Sequence, residues 1–292
     1  KPKAGLLSML AGFFAGIPIR IHIFTGQVWA TKKGFVRWLL KSMDKLLAAC
    51  ATHILVDSSS QRDFLIEQGV VSPEKSRVLA NGSICGVDTD KFSPDPESRD
   101  LIRGHLAIPE SDVVFLYLGR LNRDKGLIDL ARSFGRVCDK YDNIHLLIVG
   151  PDEQGMKEQM ESLCSSCIQK MHFVGYTDVP EKYFAASDIF CLPSYREGFG
   201  VVVIQAASAG IPSIGTRIYG VIDTIEDGIT GLLYHPGDVD GLASKMIEMI
   251  ERPDLRKIMG SNARIRATKK FSKEIVTEAL TDYYKSLLLA NV

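Results

Sequence analysis

From Val113 onward the chain repeats one pattern, in which a short apolar run alternates with a stretch of helical spacing. The runs are Val113 to Leu118, His145 to Val149, His172 to Val174, Ile189 to Leu192 and Pro212 to Thr216. A strand that pairs in parallel with its neighbour needs a crossover, usually a helix, so this alternation restricts the segment to an α/β fold around a parallel sheet. Such sheets bind ligands beyond the carboxyl ends of their strands, so a site belongs in the loops that follow these runs.

The same alternation, less regular, comes before Val113. Ile17 to Phe24 reads as a strand, Gly34 to Cys50 as an amphipathic helix and His53 to Asp57 as a strand. Ser58 and Gln61 form a capping-box pattern for a helix from Ser59 to Gln68, and Val78 to Ala80 reads as a further strand. Turn residues then cluster from Asn81 to Asp88 and from Phe92 to Pro96, where a domain boundary is expected. Met156 to Lys170 has helical character, and Ser272 to Leu289 reads as a closing helix.

With 292 residues, 46% hydrophobic and 24% charged, the chain has the composition of a globular protein. Thirty-five basic residues balance thirty-five acidic ones, so no overall field points to nucleic acid. The charge is uneven, however. Residues 1–60 carry Lys1, Lys3, Arg20, Lys32, Lys33, Arg37, Lys41 and Lys45 against only Asp44 and Asp57, and such a segment suits an anionic membrane surface or a phosphate-bearing acceptor. Ala4 to Ile19 is uncharged, yet it is shorter than the roughly 20 residues of a spanning helix and contains Pro18, so it reads as a buried or interfacial helix. Six cysteines are scattered in mostly apolar surroundings, which fits a reduced, cytosolic protein. Cys164 and Cys167 form the only C-x-x-C pair, without partners at ligand spacing, so no metal is expected.

Two loops carry the candidate chemistry. After the run ending at Leu192 comes Pro193-Ser194-Tyr195-Arg196-Glu197-Gly198-Phe199-Gly200-Val201, continuing as a small-residue helix through Gln205 to Gly210. A strand, a glycine-flanked acid and a helix start place one carboxylate and several backbone N–H groups together, which suits a phosphorylated ligand. After Leu118 comes Gly119-Arg120-Leu121-Asn122-Arg123-Asp124-Lys125-Gly126, with cations able to stabilise charge that develops on a leaving phosphate.

Together these loops resemble the signatures of retaining glycosyltransferases of family 4, which have the GT-B fold of two Rossmann-like domains. The resemblance extends over nearly the whole chain, including Asn81-Gly82…Gly86-Val87-Asp88…Phe92, similar to the family's interdomain crossover, and Gly228-Ile229-Thr230-Gly231-Leu232, similar to a structural turn. It implies catalytic roles for Glu197, Arg120 and Lys125, with Glu197 at the donor sugar and the two cations, beside Gly119, at the donor diphosphate. Phe199, Gly200 and Val201 would offer backbone N–H groups, the missing Cβ of Gly198 and Gly200 would let the backbone come close to the donor, and Tyr176 would lie in the loop beside the nucleobase. Gln205 stands where the family usually has an acid for the ribose hydroxyls, so a somewhat weaker ribose contact is expected. Tyr219 to Asp223 departs from the family's Gly-Gly and Glu pattern, and Thr25 takes the place of a frequent histidine, with His22 inside the strand as a core residue.

The implied architecture is an α/β GT-B chain with residues 1–92 as a partial acceptor-side domain, 93–271 as the nucleotide-sugar domain and 272–292 as a helix crossing back. The opening strands of the first domain are expected to be missing. The implied activity is retaining transfer, without cofactor or metal, from a nucleotide-diphosphate sugar, with UDP the commonest carrier, to a glycan or polyprenyl-linked acceptor in surface polysaccharide assembly. The expected location is the cytoplasm or the inner face of the membrane. A non-catalytic nucleotide-sugar-binding remnant remains as the alternative, with a GT-B epimerase behind it.

Overall fold

The structure is a computed structural model that describes residues 2–290. The first unit contains α1 (Pro2–Phe14), β1 (Ile21–Phe24), α2 (Gly34–Cys50), β2 (His53–Val56), α3 (Ser59–Glu67) and β3 (Ser76–Arg77). The second contains α4 (Pro96–His105), β4 (Val113–Leu118), α5 (Leu127–Cys138), β5 (Ile144–Val149), α6 (Met156–Leu163), β6 (Met171–Gly175), α7 (Pro180–Ala185), β7 (Ile189–Leu192), α8 (Val201–Ser208), β8 (Ser213–Thr216), α9 (Val221–Thr224), β9 (Gly231–Tyr234), α10 (Val239–Glu251) and α11 (Pro253–Phe271). The last helix is α12 (Lys273–Leu289).

All pairings within these sheets are parallel. The second unit orders its six strands β6-β5-β4-β7-β8-β9, so the chain builds outward from β4 and then returns to start again on β4's other side with β7. That reversal puts a crevice between the loops that leave β4 and β7. Helices cover both faces, which is why β4 is apolar along its length instead of alternating. Its odd residues Val113, Phe115 and Tyr117 pack with α5 and α10, and its even residues Val114 and Leu116 pack with α8 and α11. The first unit's sheet, ordered β1-β2-β3, has its own core around Trp29, Leu47, Ile54 and Leu65.

Several elements differ from the sequence expectation: β9 occupies Gly231–Tyr234, beginning inside the stretch read as a turn, and three others are shifted or broken. β3 falls at Ser76–Arg77, not at Val78–Ala80, because Ala80 takes a φ of +47° that cannot continue a strand. β1 begins at Ile21, since the Arg20 N–H is already engaged by Thr52 Oγ1 at 2.7 Å. The helical stretch after Met156 breaks at Cys164, whose φ of −132° and ψ of 38° separate α6 from a 3-10 turn over Ser165–Lys170.

The two units are joined through the chain's end. Val87 N–H donates to Phe271 O at 2.8 Å, and Lys273 N–H donates to Val87 O at 2.9 Å. Ser272 caps α12, which runs back over β2 and β3 with the Tyr283 ring 6.4 Å from that of His53 and under Arg77.

Candidate functional site

A cavity of about 510 Å³ opens where the β4 and β7 loops meet the first unit. Its walls include Gly119, Arg120 and Lys125 from the β4 loop, Glu197, Gly198, Phe199, Gly200, Val201 and Gln205 from β7 onward, and Thr25, Gly26 and Asp57 from the first unit.

The two loops are held to each other before any ligand arrives. Tyr195 N–H donates to Asp124 O at 2.9 Å. Gly126 has a φ of +69°, and a Cβ there would lie 2.0 Å from Pro193 O, so only glycine lets the loops approach this closely. Lys125 Nζ consequently reaches Glu197 Oε1 at 2.5 Å, with both side chains largely buried. These residues are 72 positions apart in sequence. Arg120 lines the same cavity, but its side chain is 62% exposed and its guanidinium pairs with Glu153 at 3.3 Å. Tyr117 fixes the Arg120 backbone by donating its hydroxyl to Arg120 O at 2.9 Å. Burial first, and then the nearby Glu197 charge, push the Tyr117 phenol well above its ordinary pKa and keep that donor in place.

Gly200 caps α8 with a φ of +73°, and the helix N-terminus faces the cavity through Val201 and Val202. Phe199 contributes only its backbone there, since its ring is buried against Phe271 with centroids 5.3 Å apart. Gln205 follows one turn along α8 and also lines the cavity. Tyr176 does not: it is 75% exposed beyond β6. His22 lies in β1 with its ring 4.7 Å from Phe24, and burial lowers its pKa to about 4.

Several residues in or beside the cavity wall have no site role in the sequence reading. Arg196 reaches Asp124 at 3.4 Å and Gly26 O at 3.5 Å, tying the β7 loop to both units. Ser58 donates its hydroxyl to Gly198 O at 3.1 Å while accepting from Gln61 N–H at 3.3 Å. The capping box is therefore only half made, because the Gln61 amide turns away to Thr25 O at 2.6 Å. Asp57, at the end of β2, is buried, and burial raises its carboxyl to a pKa of about 7. The available signal was a lone acid directly after the apolar run Ile54-Leu55-Val56. The Asp223 carboxylate accepts from Ser60 N–H at 3.2 Å and also holds its hydroxyl. Among the described residues there is no cluster of three or more His, Cys, Asp or Glu side chains able to hold a metal ion.

Chemically this is an anion seat, with Lys125, Arg120, Arg196 and a helix N-terminus, next to a carboxylate, Glu197, suited to hydroxyl groups.

Residues 98–266 match the family described as Glycosyl transferases group 1. The Staphylococcus aureus "Capsular polysaccharide biosynthesis glycosyltransferase CapM" is 32% identical over 288 residues, covering 98% of this chain and 75% of that protein. The Escherichia coli "UDP-Gal:alpha-D-GlcNAc-diphosphoundecaprenol alpha-1,3-galactosyltransferase" is 23% identical, covering 98% of this chain and 74% of that protein. Among solved structures, Anabaena Alr3699/HepE in complex with UDP superposes with a TM-score of 0.84 at 20% identity, covering 98% of this chain and 77% of that one.

Proposed function

The chain belongs to the glycosyl transferases group 1 family, and from that membership we propose that its cleft moves a sugar from a nucleotide-diphosphate sugar, with UDP as carrier and with retention of anomeric configuration, to a polyprenyl-linked or glycan acceptor. The chain is a glycosyltransferase with the GT-B fold, and membership favours an enzyme over the non-catalytic alternative. The observation that carries the reading is the Lys125–Glu197 pair at 2.5 Å, which stands beside the N-terminus of α8 at the strand-order reversal. A diphosphate seated against Lys125, Arg120 and the α8 N–H groups places the sugar toward Glu197. The cations then stabilise the charge released as the glycosidic bond breaks. A carboxylate already paired with a cation is a poor nucleophile, which supports a route in which the departing diphosphate takes the acceptor's proton.

The E. coli relative's name contains both UDP-Gal and a diphosphoundecaprenol acceptor, which supports UDP and a lipid-linked acceptor here. The name of the S. aureus relative supports a place in polysaccharide assembly. A panel of nucleotide sugars tests the donor assignment by thermal shift. A ligand at one hundred times its Kd stabilises by about 2.7 kcal/mol. Stabilisation by UDP-sugars above GDP- and ADP-sugars is expected, and it should hold or grow in Gln205→Glu through a charged ribose acceptor. No shift with any sugar nucleotide contradicts the donor site, and lost binding in Gln205→Glu contradicts the ribose contact.

The acceptor's source is the second part of the proposal. No helix among the described residues is long and apolar enough to cross a membrane. On α2, however, Phe35 and Trp38 stack with ring centroids 5.7 Å apart while 71% and 62% exposed, beside exposed Lys32 and Lys33. Exposed aromatics flanked by cations suit the interface of an anionic, cytoplasm-facing leaflet. Sedimentation with phosphatidylglycerol vesicles is expected to exceed that with phosphatidylcholine vesicles, and the excess should fall in Trp38→Ser. Equal sedimentation with both vesicle types contradicts this docking.

A further inference from the structure

One buried carboxyl group in the cleft has no protein partner among the described residues. Asp57 is only 8% exposed, and no donor among the described residues reaches its carboxylate. Its position is nonetheless fixed. The Asp57 N–H donates to Phe24 O at 3.2 Å, and Asp57 O accepts from Ser83 N–H at 2.7 Å. The next residue, Ser58, is tied to Gly198 O at 3.1 Å. The carboxylate therefore faces the cavity at the carboxyl end of β2. A Cβ on Gly198 would lie 2.7 Å from Asp57 Oδ2 and 2.6 Å from Gly26 N, so the first unit touches the β7 loop one residue beyond Glu197.

An unpaired buried carboxylate is costly, and a fold that keeps one in a cleft keeps it for a ligand group able to donate hydrogen bonds. A diphosphate cannot donate, but a sugar hydroxyl can. We propose that Asp57 is a substrate-contacting residue of the transfer site, accepting a hydrogen bond from a hydroxyl of the donor sugar opposite Glu197. This rests on the nucleotide-sugar reading above. It makes the sugar seat a composite, with Glu197 supplied by the second unit and Asp57 by the first, so full sugar recognition requires the two units together.

The charged groups lining the cavity around Asp57 are Lys125, Arg120 and Asp124 from the β4 loop and Arg196 and Glu197 from the β7 loop. Burial alone accounts for the raised pKa of about 7 in the ligand-free protein. A hydroxyl donated to the carboxylate favours its ionised form, so sugar binding expels a proton, and affinity rises with pH through about 7 and levels off above it. If the bound carboxylate stays ionised, affinity for the sugar nucleotide is about tenfold greater at pH 8 than at pH 6.

The test is calorimetric titration of the wild type and Asp57→Asn with UDP-glucose, UDP-galactose, UDP-N-acetylglucosamine and UDP. For the UDP-sugar that the wild type binds most tightly, the expected result is tighter binding at pH 8 than at pH 6, with that dependence lost in Asp57→Asn. At pH 6, where the Asp57 carboxyl is mostly neutral, UDP affinity should be equal in both proteins, which also certifies the variant's fold. Identical pH dependence in both proteins, or a change only in transfer to acceptor with sugar-nucleotide binding untouched, overturns the Asp57 assignment and leaves the donor site standing. Failure of the wild type to bind any of the four ligands overturns both.

Discussion

Replacing Lys125 with alanine is expected to lower kcat/KM for sugar transfer by about 10²- to 10³-fold, the usual loss for one group aimed at charge developing in the transition state. Two effects act in the same direction. The leaving diphosphate loses a cation, and Glu197 Oε1 loses the partner it holds at 2.5 Å. With its side chain 14% exposed, Glu197 is then an uncompensated charge in the cleft into which the anionic donor must enter. Lys125→Arg should recover only part of the loss, because a planar fork does not reproduce a point charge at that separation. Arg120→Ala is expected to cost less, since its side chain is 62% exposed and already paired with Glu153. Steady-state kinetics on the three variants reads the order directly, and an Arg120→Ala loss exceeding that of Lys125→Ala contradicts it.

The second large effect is structural. Gly126→Ala meets two penalties, a φ of +69° and a Cβ 2.0 Å from Pro193 O. The conformational strain alone costs about 1–3 kcal/mol. The steric clash adds to it by forcing the β4 and β7 loops apart, which separates Lys125 from Glu197. Gly155→Ala is the matched control, with a φ of +62° and nothing within 4 Å of the added carbon. At roughly 2–4 °C per kcal/mol for a unit of this size, Gly126→Ala should lower Tm by about 5–10 °C, clearly more than the control, and should also reduce transfer. Equal Tm losses in the two variants contradict the idea that the loops are pressed together at this point.

The parallel sheet was legible in the sequence because β4, β5 and β7 are apolar runs separated by helical patterns, and burial on both faces leaves that mark. β3 was misplaced because two residues pairing with Ile54 and Leu55 leave almost no pattern to read. Lys125 and Glu197 could be named from their loops, but their direct pairing depends on the reversal that puts β7 beside β4, and no local spacing encodes it. Phe199 shows the same limit at side-chain level, since its motif indicates a ligand loop while its ring is committed to the core against Phe271. Asp57 and Arg196 went unassigned because each gains its meaning from the other unit, Asp57 from Gly198 and Arg196 from Gly26. Gln61 fits a capping box by spacing, yet its amide spans 36 positions to Thr25 O.

Calorimetric titration of UDP into the wild type and Lys125→Ala tests most directly whether the cleft at the β4–β7 reversal is the donor site. The account predicts a single site in the wild type and affinity at least about tenfold weaker in the variant, about 1.4 kcal/mol. Equal affinity in the two proteins, or no binding of UDP, GDP or ADP by the wild type, would contradict it.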